Sequence, residues 1–237
     1  MLLYYIRHGD PIYRPNSLTE LGKRQAEALA KRLALYGLDR IYSSPSTRAM
    51  QTAEPTSVLT KKDIVELDWC AEGYALQELG ILVDGNRHFL FQDIETKLLL
   101  ASNEMAQLGH RWWSHPAFAE YDFQKGMERI QRHTYELLEE LGYRFDETTG
   151  AYKVLRNNDE RIALFAHQGF GIGFLSAVLN IPYPQLCAKT DLGHSLLTVI
   201  EFRNEGGMCI PQMLSLSNDS HLYREGLPTK YVNRIYF

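Results

Sequence analysis

The chain has no apolar run approaching membrane-spanning length, no glycine-rich loop of the GxxxxGK type, only three cysteines and no surplus of positive charge. The first absence argues against a transmembrane helix and the second against a nucleotide-triphosphate motor. Cys70, Cys187 and Cys209 are odd in number and lack metal-ligand spacing. They read as small buried apolar residues of a protein kept in a reducing compartment, and no disulfide framework is expected. Lys and Arg total 25 against 29 Asp and Glu, a formal net charge of -4. Such a balance offers no general field for nucleic acid or a membrane surface, so any attraction for phosphate must be local. The opening Met1 to Ile6 has no basic stretch before it and is too short for a secretory core. A cytoplasmic location is expected. There is no internal repeat and no low-complexity tract.

What is present is a repeated strand design. Tyr4-Tyr5-Ile6 runs into Arg7-His8-Gly9, and Ile162-Ala163-Leu164-Phe165-Ala166 runs into His167-Gln168-Gly169. A strand buried on both faces reads as continuous apolar sequence, and ligands bind beyond the carboxyl ends of parallel strands. If the two strands are neighbours, their histidines meet.

Between them, strand and helix signals alternate. Asp10 to Asn16 carries two prolines and is expected to loop over the strand tip. Ser17-Leu18-Thr19-Glu20 has capping-box spacing, and Leu18, Leu21, Ala26, Leu29, Leu33 and Tyr36 hold one face of a helix closed by Gly37. Arg40 to Tyr42 is a second strand. Ser43-Ser44-Pro45-Ser46 opens a helix that Pro55 is expected to kink or end. Ile64 to Leu67 is a third strand. Residues 84–122 break the alternation with Phe89, Phe91, Trp112, Trp113, Phe118 and Tyr121, an insertion expected to be partly helical around Glu95 to Leu108. A second long helix is expected over Lys125 to Leu141 and an apolar one over Gly169 to Leu179. Asn157-Asn158-Asp159 predicts a hairpin joining Tyr152–Arg156 to Arg161–Ala166, and Glu205-Gly206-Gly207 predicts another joining Leu196–Phe202 to Ile210–Leu216. The pattern is α/β, with a mostly parallel central sheet and antiparallel edges, in a single domain over 1–237 that carries the insertion.

Arg7 and Arg48, with two histidines and helix starts, would make a pocket for a dianion, because guanidinium groups grip phosphate oxygens with paired hydrogen bonds. His8 could act as nucleophile if one ring nitrogen is held and the other is free.

Arg7-His8-Gly9, Asn16 before Leu18-Thr19-Glu20-Leu21-Gly22, Ser43-Ser44-Pro45 with Arg48-Ala49 and Gln51-Thr52-Ala53, and His167 with Gly169 resemble the histidine phosphatase superfamily, also called phosphoglycerate mutase-like. The resemblance covers nearly the whole chain apart from the insertion. It implies a three-layer α/β/α sandwich, a phosphohistidine on His8, phosphate contacts from Arg7, Arg48 and His167 with support from Asn16, and no cofactor or metal. It also implies a carboxylic acid after the third strand as proton donor: Glu72 is the choice, with Asp68 and Glu66 as rivals. Gln168 stands where the family often has glycine, and its backbone amide could still bind phosphate. The expected activity is metal-independent hydrolysis of a small phosphorylated metabolite. Cys70-Ala71-Glu72-Gly73-Tyr74 lacks the Arg-His pair of the family's mutases, which disfavours phosphoryl transfer between phosphoglycerate isomers; a catalytically idle phospholigand binder is the other alternative.

Several residues have two readings. Asn16 could instead cap the helix that follows. His221 recurs near the end of family members, with a structural hydrogen bond expected. Arg87, His110, Arg111 and His115 could touch substrate or simply face solvent. Trp112, Trp113 and Phe118 cover the sheet or line a substrate lid. Tyr231 to Phe237 could pack on its own domain or on a partner, and the oligomeric state is open.

Overall fold

The computed structural model describes residues 1–230; the closing segment from Tyr231 lies outside the described residues. In chain order the strands and helices are β1 (Leu2–Arg7), β2 (Pro11–Ile12), β3 (Ser17–Leu18), α1 (Glu20–Tyr36), β4 (Arg40–Ser43), α2 (Thr47–Thr60) and β5 (Ile64–Glu66). Then come α3 (Glu72–Leu79), β6 (Gly80–Val83), β7 (Asn86–Phe89), α4 (Ile94–Leu100), α5 (Asn103–Leu108) and α6 (Phe123–Glu140). The remainder is β8 (Tyr143–Asp146), β9 (Ala151–Val154), β10 (Arg161–Ala166), α7 (Gln168–Leu179), α8 (Tyr183–Lys189), β11 (Leu197–Glu201), β12 (Met208–Cys209), β13 (Gln212–Asn218) and α9 (Ser220–Arg224).

The central sheet runs β13-β11-β1-β10-β4-β5. β1 lies parallel to β10, pairing Arg7 with Ala166, so the residues that follow each strand emerge side by side. β10 and β5 lie parallel to β4, while β11 and β13 form the antiparallel edge. Successive side chains point to opposite faces. Leu3 and Tyr5 join a large core that includes Phe170, Phe174 and Ile130 from α7 and α6, whereas Tyr4 and Ile6 meet Leu29, Leu33 and Ala53 from α1 and α2. Two helical layers thus enclose the sheet, which is the expected three-layer sandwich.

Three local expectations are corrected, and for Pro55 one of the two expected outcomes, ending its helix, is excluded. Tyr152–Arg156 and Arg161–Ala166 do not form a hairpin: β9 pairs with β8 and β12 in a separate three-stranded sheet, and β10 leaves to the centre of the main one. The five residues from Ile162 to Ala166 are buried completely, and only a position between two other strands under two helical layers removes both their faces from water. Thr19, not Ser17, caps α1, its side chain accepting from the Gly22 N–H, because Ser17–Leu18 is engaged by Pro11–Ile12 in a short antiparallel pair. That pair also gives the expected loop a regular element. Pro55 lies inside α2, which continues to Thr60.

The insertion shares the main core. Trp112 is 1% exposed and stacks on Tyr183 and Phe123 at centroid distances of 5.1 and 5.2 Å, and Phe118 is 3% exposed. These two rings take the covering role. Trp112→Ala is expected to lower unfolding free energy by about 3–5 kcal/mol, the range for deleting a large buried side chain. Urea titration checks it; unchanged stability with a raised KM would instead put Trp112 on the substrate path.

Candidate active site

The nucleophile candidate stands at the tip of β1. Gly9 turns the chain there so closely that a Cβ on it would lie 2.8 Å from the Gly22 carbonyl oxygen, and a Cβ on Gly22 would meet the Asp10 carbonyl oxygen at 2.3 Å. These are backbone contacts that cannot rotate away, so both positions require glycine. The Gly9 N–H donates to Thr52 Oγ1 (2.9 Å), and the His8 N–H donates to the Ala166 carbonyl (3.0 Å). Ser195, at φ +64°, directs its N–H to the carbonyls of both Arg7 and His8. His221 supports Ser195 through Nε2 to Oγ at 3.2 Å, the structural role expected of it.

His8 is 2% exposed. Its Nδ1 lies 2.8 Å from the Gly9 carbonyl oxygen, which can only accept, so Nδ1 carries the proton and Nε2 keeps its lone pair. Burial, then the neighbouring His167 and Arg7, push the His8 pKa far below the usual imidazole range. The ring is neutral, as a nucleophile must be.

His167 emerges beside it from β10, ring centroids 5.3 Å apart. Arg48 Nη2 donates to His167 Nδ1 at 3.0 Å, and because arginine has no acceptor the proton of this ring must sit on Nε2, which donates to Ser44 Oγ at 2.8 Å. His167 therefore orders Arg48. Burial first, then Arg48 and Arg7, hold its pKa well down. Arg48 Nη1 reaches Asn16 Oδ1 (3.1 Å), and Asn16 Nδ2 reaches Ser46 Oγ (3.1 Å), so Asn16 braces the arginine and does not cap α1. Tyr13 packs on the same guanidinium at 5.5 Å. Arg7 Nη1 donates to Gln168 Oε1 and to the Leu192 carbonyl, both at 2.6 Å, and Gln168 Nε2 is tied to Asp191 at 2.9 Å. Arg7 and Arg48 each keep a buried Nε without a partner among the described residues.

Glu72 opens α3 and aims its carboxylate at the start of α7, accepting from Gly169 N–H (3.1 Å) and Phe170 N–H (3.3 Å). Burial raises its pKa, opposed by those two N–H groups and by Arg48 and Arg7, with a net upward shift. Asp68 and Glu66 are exposed, and Asp68 accepts from the Tyr74 hydroxyl at 3.3 Å. Only Glu72 of the three carboxylates joins the cluster. Gly169 leaves room for Phe89 of the insertion, whose ring would lie 2.2 Å from a Cβ there. The other insertion groups serve locally: Arg87 binds the Gln77 and Gly80 carbonyls, His115 pairs with Glu104 at 3.3 Å, and His110 and Arg111 lie outside this constellation.

The cluster therefore brings together Arg7, His8, Asn16, Arg48, Glu72, His167 and Gln168. Sequence reasoning missed Ser44, Tyr13, Asp10 and His194. Ser44 lay within a quoted motif; nothing in the sequence around His194 marks it. No three His, Cys, Asp or Glu side chains converge in a metal-holding group among the described residues.

A sequence profile described as histidine phosphatase superfamily (branch 1) matches residues 3–73, the stretch that carries Arg7-His8-Gly9, Arg48 and Glu72. Over that stretch the chain is similar to the histidine phosphatase superfamily. Solved structures with its fold include the phosphoserine phosphatase of Entamoeba histolytica in complex with 3-phosphoglyceric acid, at TM-score 0.60 and 20% identity, over 93% of this chain and 98% of that one. Another is a mycobacterial glucosyl-3-phosphoglycerate phosphatase complexed with VO3, at TM-score 0.59 and 20% identity, over 92% and 99%. At this identity the likeness is one of fold. A search of curated proteins by sequence finds no significant match.

Proposed function

We propose that the protein is a metal-independent phosphomonoester hydrolase working through a phosphohistidine on His8, with a small phosphorylated metabolite as substrate. The observation that carries this reading is the buried His8, whose Nδ1 lies 2.8 Å from the Gly9 carbonyl and whose ring lies 5.3 Å from that of His167, which supports Nε2 as the nucleophile. That the two structural relatives are by name phosphatases of phosphoserine and of glucosyl-3-phosphoglycerate supports it.

The steps follow from the geometry. Substrate phosphate enters against Arg7 and Arg48, whose guanidiniums exchange protein acceptors for phosphate oxygens. His8 Nε2 attacks phosphorus in line while the cations steady charge on the equatorial oxygens. Glu72, holding its proton at a higher pH than an ordinary carboxyl, gives it to the departing alkoxide. The resulting carboxylate then takes a proton from water, which attacks the phosphohistidine and regenerates His8 and the acid.

The test is phosphate release from p-nitrophenyl phosphate in excess EDTA, with alkali-quenched enzyme examined for an acid-labile, base-stable phosphoryl label. Turnover in chelator with a trapped label is expected. Loss of turnover that added divalent cation restores would overturn the metal-independent route, and a turning-over enzyme with no label would overturn the phosphohistidine.

A further inference from the structure

We infer that His194 is a proton-coupled ligand of the phosphoryl group: it flanks His8 on the side opposite His167, keeps Nε2 unpaired in the free protein, and takes a proton there as the dianion enters. The inference rests on the phosphate pocket described above and extends it to a residue outside the expected set.

Topology places it. β1 sits between β10 and β11, with Ile6 opposite both Phe165 and Leu197. His167 and Arg48 therefore approach His8 from the β10 side, and His194, three residues before β11, approaches from the other. Its ring centroid is 5.3 Å from that of His8.

Hydrogen bonding makes it unlike its neighbours. Both nitrogens of His167 are engaged and His8 Nδ1 is engaged, whereas His194 Nε2 is buried with no partner among the described residues. Its Nδ1 faces Asp10 Oδ1 at 3.9 Å. A carboxylate at that range favours the proton on Nδ1, which leaves a lone pair on Nε2. A lone pair repels a phosphate oxygen, so this nitrogen can grip the group only after taking up a proton.

The surrounding charges set when that happens. Facing His194 are Arg7 from β1, His8 and Asp10 from the turn after it, Arg48 from α2, Asp191 from its own loop and Lys230 from the end of the described chain. Lys230 Nζ is bonded to Asp10 Oδ1 at 2.7 Å, so the carboxylate is largely spent on it and on Thr19. Burial, then Arg7, with Lys230 and Arg48, outweighs Asp10 and holds the imidazole pKa down at about 3. A bound dianion neutralises the arginines and adds negative charge next to the ring, which offsets the cations and brings the imidazole back toward its ordinary range. Protons have a route: His194 lines a small cavity of about 130 Å³ together with Gln25, Asp191, Ser217, Thr229 and Lys230.

Sulfate is a suitable probe because it stays a dianion through neutral pH and brings no proton of its own. Titration calorimetry at about pH 5, between the lowered and the ordinary imidazole value, in two buffers of different ionisation heat measures proton uptake. The wild-type protein is expected to take up close to one proton per sulfate, with affinity falling about tenfold per pH unit as pH rises. In His194→Asn the uptake and the pH dependence should largely vanish, with sulfate bound about tenfold more weakly at about pH 5. Asp10→Asn, which removes the carboxylate facing Nδ1, serves as a second variant and should weaken the uptake. A wild-type protein that binds sulfate without taking up a proton, or a His194→Asn variant with unchanged uptake, overturns the inference alone. Failure of the wild type to bind sulfate at all overturns the phosphate-pocket reading and the inference with it.

Discussion

Replacing His8 with alanine is expected to cut phosphate release from p-nitrophenyl phosphate by about 10⁴-fold or more and to eliminate the alkali-quenched phosphoryl label. Two properties of the residue support an effect of this size. Its Nδ1 is committed to the Gly9 carbonyl and its Nε2 keeps a lone pair, whereas both nitrogens of His167 are consumed by Arg48 and Ser44. It is also held neutral by burial and nearby cations, so it needs no deprotonation before attack. The variant leaves the Gly9 carbonyl without its partner, which costs about 1–3 kcal/mol, so circular dichroism and sulfate binding must accompany the assay. A folded, sulfate-binding His8→Ala protein with parental activity would mean that the phosphoryl group never passes through His8.

Glu72→Gln carries the second large effect, and its signature is dependence on the leaving group. An alkyl phosphate such as β-glycerophosphate expels a strongly basic alkoxide that requires the proton, and its hydrolysis should fall by about 10²–10⁴-fold, the usual contribution of a general acid. p-Nitrophenolate leaves without help, so transfer to His8 from that substrate should fall much less, and hydrolysis of the phosphohistidine then becomes limiting because the same carboxylate activates water. A burst of p-nitrophenol followed by slow turnover is the expected trace. Equal losses for both substrates with no burst would remove Glu72 from proton transfer.

The pH dependence has a determined sign. Burial raises the Glu72 pKa above the ordinary carboxyl value against the pull of the Phe170 and Gly169 N–H groups, so the donating form persists to higher pH and activity declines as pH rises through the raised value. The same shift has a stability consequence. Folded protein binds this proton more tightly than unfolded chain does, so stability falls with rising pH between the ordinary and raised pKa. The Glu72→Gln variant should lack that fall.

The two halves of the site differ in how far they could be read in advance. Arg7, His8, Arg48 and His167 stand at strand ends and a helix start, where the change from apolar run to polar residue is visible in the chain itself. Glu72 was chosen over Asp68 and Glu66 on resemblance; only the structure shows its carboxylate turned into α7 while the other two face solvent. The misplaced hairpin has a related cause. Asn157-Asn158-Asp159 carries genuine turn chemistry, but turn chemistry reports that the chain bends, not which strand it bends toward, and burial of both faces of β10 outweighed the local preference.

By itself the sequence determined the types and periods: apolar runs that must be buried, a long amphipathic helix closed by Gly37 and another across Lys125 to Leu141, a sharp turn at Gly9, and permanent cations beside an imidazole. These are properties of residues and their near neighbours. Tertiary structure alone decided which strands pair, which histidine nitrogen carries a proton, and that His194 stands against His8. Each depends on partners far apart in the chain, Arg48 with His167 across 119 residues and Lys230 with Asp10 across 220. Tautomer and pKa are set by what a group faces after folding, and no local pattern encodes that.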